Sequence, residues 1–568
     1  MAEPPFKIDN WQLAAAERRQ SLYESIPNDY RLPTNLSDLA IAGLLRPEDQ
    51  AVLQCGILSD LDMEITNITD APTLVSLMAS RQYTAVQVTQ AFCKRAAIAQ
   101  QCLGCLTVFL YESAMRRATE LDDYMAQTGK SVGILHGLPI CLKDIFDIQG
   151  QPTTVGLVSW LPYIATKNAT ITDSIIAAGG ILLAKTSTSQ ACLMVESINN
   201  IFGTVRNPYN PQLSAGGSSG GEAALVAAKG SILGSGTDGG GSIRFPAAFC
   251  GLWGIKCSKG RIPAGGCSGP KSGNESVNSG FGPLAKTVAS LEVWLRAQLA
   301  SQPWDVDSSC IPMKWDVSRA ERAQGPLTIA VIWDDGVVKP APPVVRALKI
   351  VVDLLKKNGH RIVHLPEEKI KDVHRRATSC FMMSNVQDGG FTVMKHIDSS
   401  GEPVVPRTAT GSLESRLTAR EIFDNHLLRS SLGDEYNDLW QHHQMDAILA
   451  PAVAHPAPPH GKYISNSYAS IYNMLDYVTG CIPVGSVDLE LDKAPPEWYQ
   501  RQPYDRIEPV RFPYDLGDKE MMDLYSSPEV FKNSPIGVQI VCRRLKEEKC
   551  IGILKEIERI QREGLVSI

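Results

Sequence analysis

Two glycine- and serine-rich loops around one short apolar segment constrain this chain more than any other feature. The first reads Gly216-Gly217-Ser218-Ser219-Gly220-Gly221-Glu222. The second reads Gly234-Ser235-Gly236-Thr237-Asp238-Gly239-Gly240-Gly241-Ser242-Ile243-Arg244. Glycine lets backbone N–H groups approach a bound atom, and serine brings a hydroxyl that can donate, accept or attack. The flanking text, Ala223 to Ala228 and Phe245 to Ile255, is apolar. Both loops are therefore anchored in a core and do not read as linker. Glu222 to Lys229 reads as a helix whose N-terminus faces the first loop and favours negative charge there. Ile232 to Gly236 reads as a buried strand leading to the second loop.

Three chemistries compete for these loops. Gly234-x-Gly236-x-x-Gly239 fits the dinucleotide fingerprint. Pro246, however, interrupts the helix that fingerprint needs, and Lys256 and Lys259 stand where an acidic residue belongs, about 20 positions on. Gly216-Gly217-Ser218-Ser219-Gly220 fits the G-x-S-x-G elbow of an esterase, with Ser218 as nucleophile and Asp446 and His455 downstream. That reading ignores the second loop. In Asp238-Gly239-Gly240-Gly241-Ser242, successive unhindered N–H groups lead up to one hydroxyl. Such a run can hold an oxyanion while Ser242 attacks a carbonyl.

Gly-Gly-Ser-Ser-Gly-Gly-Glu, then Gly-Thr-Asp-x-Gly-Gly-Ser-Ile-Arg with Pro246 two residues on, resembles the amidase-signature family. Upstream, His136-Gly137-Leu138-Pro139-Ile140-Cys141-Leu142-Lys143-Asp144 is similar to that family's lysine motif. The wider chain resembles the acetamidase-type fungal members from end to end. The resemblance implies that Ser242 is the nucleophile, Ser218 the bridging serine and Lys143 the base. The two serines lie 24 residues apart, which matches the family spacing. It also implies a cis peptide before Ser218 and an oxyanion held by the N–H groups of Gly239, Gly240, Gly241 and Ser242. The implied reaction is hydrolysis of a carboxylic amide through a seryl acyl-enzyme, without cofactor or metal. The implied substrate is a small aliphatic or aryl amide, or an amide of secondary metabolism. The rivals are the esterase and a non-catalytic binding or amidotransferase-like subunit, against which the intact Ser242, Ser218 and Lys143 argue. Two positions depart from the family: Gly239 replaces a branched apolar residue, and Cys257 replaces a proline.

Lys143 can serve as a base only when neutral. Burial lowers a lysine's pKa, and the apolar run Leu138 to Leu142 favours burial. Asp144 and Asp147 offer the competing outcome of an ordinary salt bridge. His136 reads as structural. Cys192, Leu193 and Met194 precede the first loop and are expected to border the acyl pocket. The helical text from Arg375 to Trp440 is expected to line or cover the entrance.

Helical and strand patterns alternate along the chain, which indicates an α/β fold: one large domain with a mixed β-sheet core covered by helices. Residues 1–70 read as an N-terminal helical extension packed on that core, and 71–568 as the catalytic domain. Asn10 to Ser25 reads as a helix with Trp11, Leu13, Ala14, Leu22 and Tyr23 as its apolar positions. Residues 486–530, polar and Pro-rich, read as surface loop. A net charge of −6 with no Lys/Arg block argues against a nucleic-acid surface. No apolar run reaches the length of a membrane span. Met1 to Asn10 carries Pro4, Pro5 and Asp9 and no apolar core. The 14 cysteines are scattered, which suits buried thiols in a cytoplasmic protein. Cys102-x-x-Cys105 is a lone pair and a weak zinc or redox signal. The expected partner is a small-molecule amide, with a homodimer as the assembly allowed for. Both loops lack ligand clusters, so amide turnover is expected to survive EDTA. Loss on chelation with recovery on adding zinc would overturn a metal-free reaction.

Overall fold

The computed structural model describes residues 4–271, 273–277, 279–507 and 517–565. Met1–Glu3 of the N-terminal segment read above, and residues 508–516 of the Pro-rich stretch, lie outside the described residues. The strands are β1 (Leu106–Phe109), β2 (Pro139–Lys143), β3 (Ile181–Thr186), β4 (Ile198–Asn199), β5 (Gly203–Thr204), β6 (Leu233–Asp238) and β7 (Trp253–Lys256). They continue as β8 (Gly280–Ala285), β9 (Thr328–Val331), β10 (Arg361–His364), β11 (Ala447–Pro451), β12 (Val478–Ser486) and β13 (Pro535–Cys542). Eleven of them form one sheet in the order β1-β3-β2-β6-β8-β7-β12-β13-β11-β9-β10, and β4 pairs with β5 apart from it.

The sheet is mixed, as the alternating patterns indicate. Parallel pairs stand toward its two ends, β3-β2-β6 and β11-β9-β10. The strands from β6 through β8, β7, β12 and β13 to β11 pair antiparallel. Every residue of β2, β6 and β13 is buried. Such strands are covered on both faces and read as continuous apolar or small-residue runs, not alternating ones. One apolar cluster reaches from Leu22 and Ile65 through Leu142 and Leu225 to Ile557. Helices of the first 70 residues thus share the core of the sheet. Among the described residues, no helix is long and apolar enough to cross a membrane.

Two sequence expectations shift. The N-terminal helix spans Trp11–Glu24 and is capped by Asn10, but it buries Ala15 and Leu22 and leaves Leu13 and Tyr23 exposed. Its rotation is fixed by polar anchors: Arg18 donates to the Thr107 carbonyl at 2.5 Å and Arg19 to the Ile201 carbonyl at 2.6 Å. The stretch 486–530 is not plain loop. It holds helices Pro496–Gln500 and Asp518–Leu524 and buries Trp498, Met521 and Tyr525. Arg346 pairs with Asp492 at 2.6 Å and draws this segment onto the body.

The site is positioned by the strand ends. β2 delivers Lys143, β6 delivers Thr237 and Asp238, and the helix Gly220–Ala227 follows the first loop. That helix begins in direct contact with the neighbouring backbone. A Cβ on Gly221 would stand 2.5 Å from the Ser187 carbonyl oxygen and 2.6 Å from that of Cys105. Gly221→Ala is therefore expected to destabilise the fold by about 1–3 kcal/mol, the usual cost of forcing atoms into a packed interior. The urea midpoint should fall at unchanged slope. An unchanged midpoint would show that the backbone yields freely.

Candidate active site

The side chain of Lys143 is fully buried. Its Nζ lies 2.7 Å from Ser218 Oγ and 2.7 Å from Thr237 Oγ1. Neither adjacent carboxylate takes it. Asp144 faces Lys185, whose Nζ is 2.9 Å from its Oδ1, and accepts from the Thr154 hydroxyl at 2.5 Å. Asp147 accepts from the hydroxyls of Thr153 (2.8 Å) and Tyr163 (3.0 Å). Among the described residues, Lys143 has no ion-pair partner. Burial lowers its pKa, and the more distant Cys192, Asp238 and Glu222 offset only part of that.

The first loop is tied to the second by backbone and hydroxyl bonds. The Gly217–Ser218 peptide is cis. Ser219 N–H donates to the Ser242 carbonyl at 3.2 Å. The Ser219 hydroxyl donates to the Thr237 carbonyl at 3.2 Å and accepts from the Thr237 N–H at 3.3 Å. Ser197 supports the loop from outside, donating to the Ser218 carbonyl at 3.1 Å and accepting from Gly220 N–H at 2.9 Å. Glu222 lies deeper. It accepts from the Thr186 hydroxyl at 2.7 Å and the Cys141 thiol at 2.9 Å, and burial raises its carboxyl to about 7.

The second loop is folded around one buried ion pair. Arg244 Nε and Nη2 meet the Asp238 carboxylate at 2.9 and 2.8 Å. The same carboxylate accepts from the N–H of Gly241 at 2.7 Å and of Ile243 at 3.1 Å. Arg244 also donates to Asn473 Oδ1 at 2.5 Å, to the Ala469 carbonyl and to Gln539. Burial alone would raise the Asp238 carboxyl, but Arg244, its hydrogen bonds and Lys256 hold it well below the usual carboxylate range. Gly241 turns at φ +120°, where a Cβ would stand 2.2 Å from the Phe245 ring, so the loop closes only with glycine there.

A cavity of about 440 Å³ opens on these loops. Ser218, Thr237, Gly239, Gly240 and Ser242 border it, and so do Cys192, Leu193 and Met194. Phe381 and Met382, from the helix Glu367–Val386, form part of another wall. The expectation that Gly241 supplies an oxyanion donor is corrected: its N–H is taken by Asp238, and the residue does not border the cavity. The sequence reading also missed Thr237, the second partner of Lys143. Its position two residues before the loop glycines on a buried strand was the available signal.

The esterase partners do not assemble. His455 is buried, with Nδ1 on the Pro456 carbonyl (2.8 Å) and Nε2 accepting from Ile464 N–H (3.3 Å). Asp446 instead accepts from Thr328 N–H at 2.8 Å and pairs with Lys549. His136 accepts from Val132 N–H at 3.1 Å and shapes the turn before β2. Cys102 and Cys105 are buried thiols, and burial pushes Cys102 up to about 12. Among the described residues, no cluster of three or more His, Cys, Asp or Glu is placed to hold a metal ion.

Residues 87–551 match the amidase family model, and the chain belongs to that family of amide-hydrolysing enzymes. It is 36% identical to an acetamidase of Aspergillus oryzae over 97% of this chain and 99% of that protein. It is 34% identical to an acetamidase of Emericella nidulans over 97% of this chain and 98% of that protein. Among solved structures it is similar to a fatty acid amide hydrolase, with a TM-score of 0.88 at 30% identity. That match covers 97% of this chain and 95% of the other.

The Asp238–Arg244 pair sets the shape of the second loop, and its stabilisation has a definite sign with pH. A carboxylate held low contributes fully above its unfolded pKa, and the contribution fades as pH falls toward the folded value. Arg244→Met leaves the buried carboxylate uncompensated and is expected to cost about 3–5 kcal/mol. Adding Asp238→Asn should return part of that loss. Urea unfolding of the two variants checks this, and a near-neutral Arg244→Met would refute it.

Proposed function

We propose that the chain hydrolyses carboxylic amides through an acyl-enzyme on Ser242, with Ser218 as proton relay and Lys143 as base. The observation that supports this most is the Lys143 amine, buried and hydrogen-bonded to hydroxyls alone, 2.7 Å from Ser218 Oγ. A neutral amine has one lone pair. Lys143 takes the Ser218 proton as Ser218 takes that of Ser242, and Ser242 Oγ forms a bond to the amide carbon. The N–H groups of Gly239, Gly240 and Ser242 are the donors proposed for the oxyanion. The proton then returns along the same path to the nitrogen, the C–N bond breaks and ammonia or an amine leaves. Water repeats the sequence on the acyl-enzyme and releases the carboxylate.

The substrate class proposed is small aliphatic or aryl amides. The kinship with two acetamidases supports the first. The cavity of about 440 Å³, walled in part by Phe381 and Met382, leaves room for the second. Amides of secondary metabolism fit the same space.

Acylation is expected to rise with pH to an alkaline plateau. Burial holds Lys143 below the ordinary lysine value of 10.5, so the acid limb marks loss of its proton. Lys143→Met keeps apolar bulk and should lose turnover by orders of magnitude, together with that limb. A fluorophosphonate label should map to Ser242 and vanish in Ser242→Ala. A folded Lys143→Met protein with near wild-type amide turnover, or a label on Ser218, would overturn the assignment.

A further inference from the structure

The cavity wall carries a second lysine that the proposed reaction does not use. Lys271 borders the cavity, and its Nζ donates to Asn385 twice, to the carbonyl at 2.5 Å and to Oδ1 at 3.0 Å. Both partners are neutral. Among the described residues, no carboxylate lies within ion-pair distance of this amine. Asp388 acts on it only from further away, and removal from water pulls the group down to about 8. Lys271 is half-buried on the cavity wall, and its charge has no counterion there. Its bond to the Asn385 carbonyl caps the last turn of the helix Glu367–Val386, and that neutral carbonyl leaves the charge itself unpaired.

The local geometry shows what would satisfy it. An ammonium has three N–H groups, and Asn385 engages two. Asn385 borders the cavity as well, so the third ammonium N–H stands beside a second polar residue on the same wall. The remaining ammonium N–H is a charged donor suited to a carboxylate oxygen. Phe381 and Met382 stand about one turn before Asn385 on the same helix and also border the cavity. The wall therefore changes from apolar to cationic within a single turn.

We infer that Lys271, with Asn385, forms an anion subsite that selects amides whose apolar portion ends in a carboxylate. The inference rests on the amidase reading of the Ser242 end of the cavity. Its ligand is bound and oriented by groups that take no part in the proposed reaction at Ser242. No new covalent step is involved, and the carboxylate leaves unchanged on whichever product carries it.

The test uses the purified full chain and two sets of amides of increasing spacer length. One set is the dicarboxylic monoamides from four to eight carbons, and the other the N-acetyl ω-amino acids of similar length. Each is paired with a neutral isostere in which a methyl ketone replaces the carboxylate. At the best spacer length, kcat/KM for the carboxylate should exceed that of its isostere by about tenfold or more, the usual worth of a charge-assisted hydrogen bond. Lys271→Met should bring that ratio close to one, and Lys271→Arg, which keeps the charge, should retain most of it. Equal rates for carboxylates and isosteres at every length would overturn the subsite while leaving amide hydrolysis intact. An unchanged ratio in Lys271→Met would do the same. Failure of wild type to hydrolyse any of these amides would instead remove the amidase reading, and this inference with it.

Discussion

A primary amine buried among hydroxyls, with every nearby carboxylate engaged elsewhere, is the constraint on which this structure turns. Lys143 lies at the end of β2, beside two aspartates in sequence. Had Asp144 or Asp147 reached it, the amine would be a structural cation with a raised pKa. Lys185 occupies Asp144 instead, and three hydroxyls occupy Asp147. The pairing depends on register. β3 runs parallel to β2 with Lys185 opposite Leu142 and Thr186 opposite Lys143. Lys185 is thus delivered to the carboxylate that would otherwise claim the Lys143 amine.

The geometry of the two loops follows from equally local causes. Asp238 ends β6 and immediately recaptures the chain through Gly241 N–H, Ile243 N–H and Arg244. This sharp return presents Gly239, Gly240 and Ser242 to the cavity. Ser219 then holds the first loop against the second by bonds to Thr237 and Ser242. Arg244 carries the connection outward to Asn473, Ala469 and Gln539. The helix Ser467–Met474 and strand β13 are thereby bound to the candidate site more than 200 residues before them. Satisfied buried networks of this kind rigidify what they surround.

Much of the fold was legible where periodicity and punctuation agree. The helix Gly220–Ala227 and strand β6 sit within a few residues of where the apolar runs and their glycine boundaries place them. The strands β7, β8 and β12 were not legible. β7 and β8 are short and carry Gly254, Gly280 and Gly282, while β12 holds Pro483 and Gly485. Such residues weaken a strand pattern in isolation and are tolerated because neighbouring strands supply the pairing. The rotation of the first helix was misread for a related reason: two arginines bonding distant carbonyls decided its face.

The sequence by itself determined the family, the α/β class and the chemistry available. Those depend on residue types at fixed spacing, and Lys143, Ser218 and Ser242 carry both. It also suggested Cys192, Leu193 and Met194 as pocket residues through their place before the first loop. Tertiary structure alone decided which groups are free to act. Gly241 is spent on Asp238, His455 is enclosed by backbone partners, and Thr237 becomes the second partner of the amine. It alone exposed Lys271 as a cation without a carboxylate. The physical reason is common to all four. A polar group's role is set by what already occupies its lone pairs and protons, and those partners come from strands and loops tens to hundreds of residues away.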